Sequence, residues 1–175
     1  NHIYEEDFLG FSYGFRPRRG QHDALDALMT GICGAKVKWI IDADIQGFFD
    51  AVNQQWLIRF LEHRIGDRRI IRLIQKWLGA GVLEDGAVKT SDRGTGQGSV
   101  ISPLLANVYL HYVFDLWANQ WRRREVRGDM IVTRYADDIV IGFEHENDAR
   151  RFLELMRRRF EQFALTLHPE KTRLI

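Results

Sequence analysis

One cysteine and three prolines stand among 175 residues, and no apolar run approaches the roughly 20 residues that a membrane-spanning helix needs. A single thiol, Cys33, excludes an internal disulfide and suits a reducing compartment. It ends a helical pattern, where a buried or half-buried structural thiol is expected. The first residues carry no secretory pattern. A cytoplasmic setting, bacterial or within an organelle, is therefore expected. An excess of charge is also lacking, with 25 Lys and Arg against 24 Asp and Glu. What the chain does have is 45% hydrophobic content, enough at this length for one domain with a real core.

The near-zero net charge argues against a nucleic-acid partner only until its distribution is read. Arg16, Arg18 and Arg19 cluster early, and Arg64, Arg68, Arg69, Arg72 and Lys76 fall together. Arg122, Arg123, Arg124 and Arg127 form a third group, and Arg150, Arg151, Arg157, Arg158 and Arg159 line a late helical pattern. Basic surfaces around an acidic centre suit an enzyme acting on nucleic acid. For any one arginine, a solvated helix face is the default reading.

Periodicity places the elements coarsely. Residues 21–33 read as helix and 36–43 as strand. Asn53 is placed to cap a helix over 54–65, with Leu57, Phe60, Leu61 and Ile65 inside. Asp67 is placed to cap the next, with Ile70, Ile71, Ile74, Trp77 and Leu78 inside. Asp85-Gly86 is a two-residue hairpin signal. Ser102 before Pro103 marks a helix start, running to about Trp117 and apolar on most sides. Residues 147–164 carry Ala149, Phe152, Leu153, Met156, Phe160 and Phe163 at helical spacing, which reads as core. The pattern of strand, helices, strand–turn–strand, helix and strand is α+β.

The chemistry concentrates in acid. Tyr135-Ala136-Asp137-Asp138 lies between the apolar runs Ile131-Val132 and Ile139-Val140-Ile141, so adjacent carboxylates are expected at a hairpin tip. An apolar sheet has no structural use for two unpaired negative charges, whereas a divalent-metal site does. Asp42 and Asp44 stand at i and i+2 where the β-rich run 36–44 ends in acid, on one face of the strand. Two metal ions about 3.5–4 Å apart, the arrangement used for phosphoryl transfer, need carboxylates arriving from separate elements. Asp44 and the pair Asp137-Asp138 offer them. The histidines show no metal-ligand spacing, so no zinc site is expected. Gly94, Gly96 and Gly98 match a dinucleotide loop only superficially, because no βαβ unit surrounds them.

Five ordered blocks carry a family resemblance. They are Ser12 to Pro17 with Arg19, His22, Ala24 and Leu25; Asp44 to Asp50; Gly94 to Gly98 with Ile101 to Asn107; Tyr135 to Asp138; and Leu167 to Thr172. In this order they resemble the reverse transcriptase domain of group II intron-encoded proteins. Many relatives have Pro where Gly96 stands and Lys where Gln46 stands. Neither departure removes a metal ligand.

The resemblance implies a polymerase palm, an antiparallel sheet with helices packed on one face, plus part of the fingers. Residues 1–35 would be partial fingers and 36–175 palm, with a fingers insertion around 53–100. The family's thumb and maturase regions are expected to be absent, which makes the chain an excised piece. The implied activity is RNA-directed DNA polymerisation on an RNA template with a DNA primer and deoxynucleoside triphosphates. Intron RNA is a further expected partner in a full-length protein, and no membrane is expected. Two Mg²⁺ ions, with Mn²⁺ able to substitute, would be held by Asp44, Asp137, Asp138 and the backbone carbonyl of Ile45. Phe49 would be the steric gate under the sugar, with Phe48 in the core. Gln97 and Gly98 would lie against the incoming nucleotide. Arg16 or Arg18 would contact the triphosphate. Lys171 would donate a proton to pyrophosphate or only neutralise its charge. Asp42 and Asp50 are expected to be structural. The alternatives left open are a non-catalytic RNA-binding maturase module and an RNA-dependent RNA polymerase-like palm.

Overall fold

The computed structural model of the chain describes residues 2–79, the strands Val82–Glu84 and Ala87–Lys89, and residues 101–175. The first half contains α1 (His2–Glu5), α2 (Gln21–Gly34), β1 (Trp39–Ala43), α3 (Phe48–Ala51), α4 (Gln54–Arg64) and α5 (Arg68–Gly79). The strands β2 (Val82–Glu84) and β3 (Ala87–Lys89) pair antiparallel as a small ribbon. α6 (Ser102–Leu110) runs through a π-helical turn at His111–Asp115 into α7 (Leu116–Arg124). β4 (Met130–Tyr135), β5 (Asp138–Phe143), α8 (Glu146–Gln162) and β6 (Arg173–Leu174) complete the described elements. The Asp85-Gly86 turn signal and the block Gly94 to Gly98, with Gln97, lie outside the described residues.

The sheet has the order β4-β5-β1-β6 with every pairing antiparallel. Its register sorts the side chains, because residues directly opposite one another share a face. Met130, Val132 and Arg134 stand opposite Phe143, Ile141 and Ile139, and Ile141 and Ile139 in turn stand opposite Ile41 and Ala43. That face is buried. Trp121 of α7 and Phe152 of α8 both meet the Phe143 ring on it, and Phe152, Met156 and Phe160 of α8 are wholly buried. The other face carries Asp42 and Asp138 and is the more exposed one. One covered face and one open face is the alternation expected of an antiparallel sheet.

Local capping follows the sequence. Asn53 Oδ1 accepts from the Trp56 amide at 3.0 Å, and Asp67 Oδ1 accepts from the Arg69 amide at 2.8 Å. Four expectations need correction. β1 begins at Trp39, so residues 36–38 are not strand. Ile70 and Trp77 of α5, expected inside, are 42% and 48% exposed, and only Ile71, Ile74 and Leu78 turn inward. Cys33 is exposed, on a helix of which only Ala24 is buried. The helix expected to end near Trp117 continues to Arg124, made possible by the π-helical turn that re-phases its apolar face.

Several of the arginines expected to face phosphates are engaged within the chain. Arg150 pairs with Glu146, Arg151 with Glu125, Arg158 with Glu154 and Arg64 with Asp7. Arg159 turns inward and donates to the carbonyls of Tyr112 and Val113 in the π-helical turn. These exposed pairs stabilise little, so a partner could still compete for the surface ones.

Candidate active site

The carboxylates sit at two chain reversals on the same end of the sheet. Tyr135 and Asp138 pair across the β4–β5 hairpin, leaving Ala136 and Asp137 as its turn. Ala136 takes a left-handed backbone with φ 55. A left-handed backbone costs a residue with a β-carbon about 1–2 kcal/mol. Asp137 is half-buried in the turn, and Asp138 opens onto the exposed sheet face.

Asp44 follows β1, where the chain is gripped by the segment before β6. The Asp44 carbonyl accepts from the His168 amide at 2.8 Å, and the Gln46 amide donates to the Thr166 carbonyl at 2.9 Å. Ile45 is buried and bridges Leu167. Gly47 then takes the left-handed region, φ 54, a reversal glycine permits at no steric cost, and starts α3. Phe48 points into the core at 3% exposure, while its neighbour Phe49 is half-buried. Lys171 Nζ stands 3.5 Å from Asp44 Oδ2, with most of its side chain in solvent.

These acids feel one another. Partial burial raises the Asp137 pKa above the usual carboxylate range, and the Asp44 charge raises it further. For Asp138 partial burial leads again, followed by the charges of Asp137, Asp44 and Asp42. Lys171 pulls both back down without cancelling the effect. Carboxylates that crowd together at a surface, short of positive charge, are the oxygen donors a hard divalent cation takes. Among the described residues no group of three or more acidic, histidine or cysteine side chains is already drawn in to ligand distance.

The basic candidates separate. Arg16 is buried and committed, with Nε and one Nη donating to Glu5 at 2.9 and 2.6 Å. Its other Nη donates to the Leu9 and Ser12 carbonyls. That leaves it a brace of the N-terminal loop, with no free edge for a triphosphate. Arg18, two residues on, is exposed on a left-handed backbone, φ 60. Asp42 lies exposed on the open face opposite Val140 and Arg173, and Asp50 is exposed in α3.

Directly behind the turn lies a cluster that sequence reasoning passed over. Arg134 is fully buried and spends all five of its N–H groups. Nε and Nη2 donate to the two Asp115 oxygens, both at 2.7 Å. Nη1 donates to Asn107 Oδ1 at 3.0 Å and to the Ala136 carbonyl at 2.8 Å, and Nη2 also donates to Ser12 Oγ at 2.7 Å. Asn107 Nδ2 in turn donates to the Gly14 carbonyl at 2.6 Å. Gly14 lies so close to the turn that a β-carbon there would stand 2.2 Å from the Ala136 nitrogen. A signal existed. Arg134 shares its strand face with Met130 and Val132, and Asp115 sits in an apolar helix, so each is a charge that burial obliges to find the other.

With this geometry in hand, the likeness to known proteins is specific. The family profile described as "Reverse transcriptase (RNA-dependent DNA polymerase)" matches residues 1–175. The group II intron-encoded protein LtrA of Lactococcus lactis subsp. cremoris is 42% identical over 109 residues, covering 62% of this chain and 18% of that protein. An uncharacterized 91 kDa protein in the cob intron of Schizosaccharomyces pombe is 38% identical over 135 residues, covering 77% of this chain and 16% of that protein. The chain thus spans less than a fifth of the length of either relative. In fold it is similar to apo telomerase from Candida tropicalis, with a TM-score of 0.71 at 12% identity over 99% of this chain and 35% of the other. The chain belongs to the reverse transcriptase family, together with the group II intron-encoded proteins.

Proposed function

We propose that this chain is the fingers–palm portion of an RNA-directed DNA polymerase, with Asp44, Asp137 and Asp138 as the catalytic carboxylates. The observation that carries the reading is the placement of these acids at two adjacent chain reversals on one end of an open sheet face. Those three side chains and the Ile45 carbonyl would hold two Mg²⁺ ions, or Mn²⁺ in their place. Bound there, the ions would lower the pKa of a primer hydroxyl and offset charge on a triphosphate and its leaving pyrophosphate.

The chain's own residues do the rest. Asp137, in the turn, would be the carboxylate shared between the ions, and Asp44, just after β1, would supply another. The half-buried Phe49 ring, just past the Gly47 reversal, sits under the sugar and excludes a 2′-hydroxyl by bulk, while Phe48 anchors α3 in the core. Arg18 reaches toward the triphosphate in preference to Arg16, whose guanidinium is used internally. Gln97 and Gly98, outside the described residues, would lie against the incoming nucleotide. Lys171, 3.5 Å from Asp44, would neutralise or protonate departing pyrophosphate. Residues 1–35 would be partial fingers and 36–175 palm, with a fingers insertion around 53–100. The open face bearing Asp42 and Asp138 would receive an RNA template with its DNA primer, and intron RNA in a full-length protein.

Primer extension on poly(rA)/oligo(dT) with Mg²⁺ tests the reading, run on the chain alone and joined to a thumb. Extension that needs deoxynucleotides, needs Mg²⁺ and vanishes with Asp137→Asn supports it. Extension that survives Asp137→Asn overturns it.

A further inference from the structure

The back of the β4–β5 turn is as ordered as its front is exposed, and the link between the two is a single bond. Arg134 ties Ser12, Asn107 and Asp115 together, yet its fifth contact leaves the cluster and holds the carbonyl of Ala136, inside the turn. Ala136 is the residue that a left-handed backbone penalises, and Asp137 follows it immediately. Gly14 packs against the nitrogen and Cα of the same residue, with room for no β-carbon. The turn is therefore clamped between a backbone wall and a guanidinium. Asp115 fixes the guanidinium from both ends of its fork, a two-point geometry that sets orientation as well as position. Asp115 itself ends the π-helical turn, an irregularity that moves it out of ordinary helical phase.

We propose that Arg134 is a positioning residue for the metal-binding turn: with Asp115 as its anchor, it holds Ala136 left-handed and so aims Asp137 and Asp138. This rests on the metal-centre reading above. A buried ion pair alone is weak grounds for stability, since apolar residues of similar volume often replace one without loss. A fully buried guanidinium with every N–H used, one of them on the strained peptide beside a metal ligand, is better explained by orientation. Outer-shell partners of metal ligands act in this way, and losing one costs about 10–100-fold in metal affinity or activity.

The test uses the 175-residue chain and needs no turnover. Mn²⁺ binding is followed by electron paramagnetic resonance, amide exchange reports protection at Asp137 and Asp138, and melting is recorded for each variant. Arg134→Lys keeps the charge but loses the fork. Arg134→Met with Asp115→Leu removes both charges at similar volume and guards against a variant that simply unfolds. Leu57→Ala, in the buried face of α4, is the control that lowers stability away from the turn.

Both Arg134 variants should bind Mn²⁺ about 10–100-fold more weakly and lose protection at the turn, even where the double variant melts like the parent. Leu57→Ala should melt early with Mn²⁺ affinity unchanged. Adding Ala136→Gly to the double variant should return part of the affinity, because glycine takes the left-handed backbone unaided. Parent-like Mn²⁺ affinity in the double variant overturns the proposal. The metal-centre reading fails separately, if the parent shows no Mn²⁺ site sensitive to Asp137→Asn. In that case turn protection decides the role of Arg134: loss confined to Asp137 and Asp138 upholds it, and loss no greater than in Leu57→Ala ends it.

Discussion

Two charged clusters lie on either side of one peptide, and they are opposites. Behind the β4–β5 turn, Arg134 and Asp115 are wholly buried and every guanidinium N–H has its acceptor. In front of it, Asp44, Asp137 and Asp138 face partly into solvent with like charges and one nearby lysine. The satisfied cluster is structure, and nothing remains there for a ligand to do. The unsatisfied one holds negative charge that the fold alone does not relieve, and such local conflict is characteristic of functional sites. The contrast teaches where to look in this palm: chemistry sits where pairing stops.

The largest break in the comparison comes from the satisfied side. Asp115→Leu alone leaves the Arg134 charge buried without its anchor, and unfolding in denaturant should show a loss of about 3–5 kcal/mol. The same assay on Arg134→Met with Asp115→Leu should recover most of it. A single variant as stable as the parent would mean that water or a rearranged Asn107 replaces the carboxylate.

On the unsatisfied side the signs invert. Asp137→Asn should cost extension on the order of 10²–10³-fold or more, the scale of losing one electrostatic stabiliser in an active site. Its melting temperature should hold or rise, since an amide removes repulsion without leaving a charge unpaired. A stability loss resembling that of Asp115→Leu would place Asp137 among the structural acids.

Phe48 and Phe49 repeat the comparison within one pair. Phe49→Val should admit ribonucleotides far better with only modest loss of deoxynucleotide use, because a ring that excludes by bulk relaxes in one direction. If Phe49 is only core, Val should instead cost about 1–4 kcal/mol and leave the ratio of the two incorporation efficiencies unchanged. Measuring that ratio beside the melting temperature separates the accounts.

The sequence made the front of the turn legible and the back illegible, for a physical reason. Asp137-Asp138 between apolar runs, Asn53 and Asp67 before helical patterns, and the Phe152–Met156–Phe160 stripe are local signals, readable over a few residues. Arg134 with Ser12, and with Asn107 and Asp115 of one helical run, is a meeting of three distant segments, and only the sheet register and a π-helical turn bring them to one point. Arg16 misled because its position in a family block says nothing about which way its side chain turns, and Glu5, eleven positions away, turned it inward. The exposed Ile70 and Trp77 misled for a related reason. A helical stripe wider than one face cannot all be buried, and periodicity alone does not say which edge stays out.

The smallest expected effect is also the most direct reading of the unsatisfied charge. Asp137 and Asp138 both have folded-state pKa values raised above their unfolded ones. The folded chain then binds more protons than the unfolded chain between the ordinary carboxylate range and the raised values, so stability falls as pH rises through that window. This is the reverse of the usual paired carboxylate, which stabilises on ionising. Unfolding measured as a function of pH in chelator should show the downward slope from these two groups, and Asp137→Asn should remove part of it. Mg²⁺ should offset the loss at neutral pH by binding the folded state alone. The satisfied cluster predicts no such sensitivity to Mg²⁺. If Mg²⁺ stabilises Asp137→Asn as much as the parent, the ion is binding elsewhere and the front of the turn is not its site.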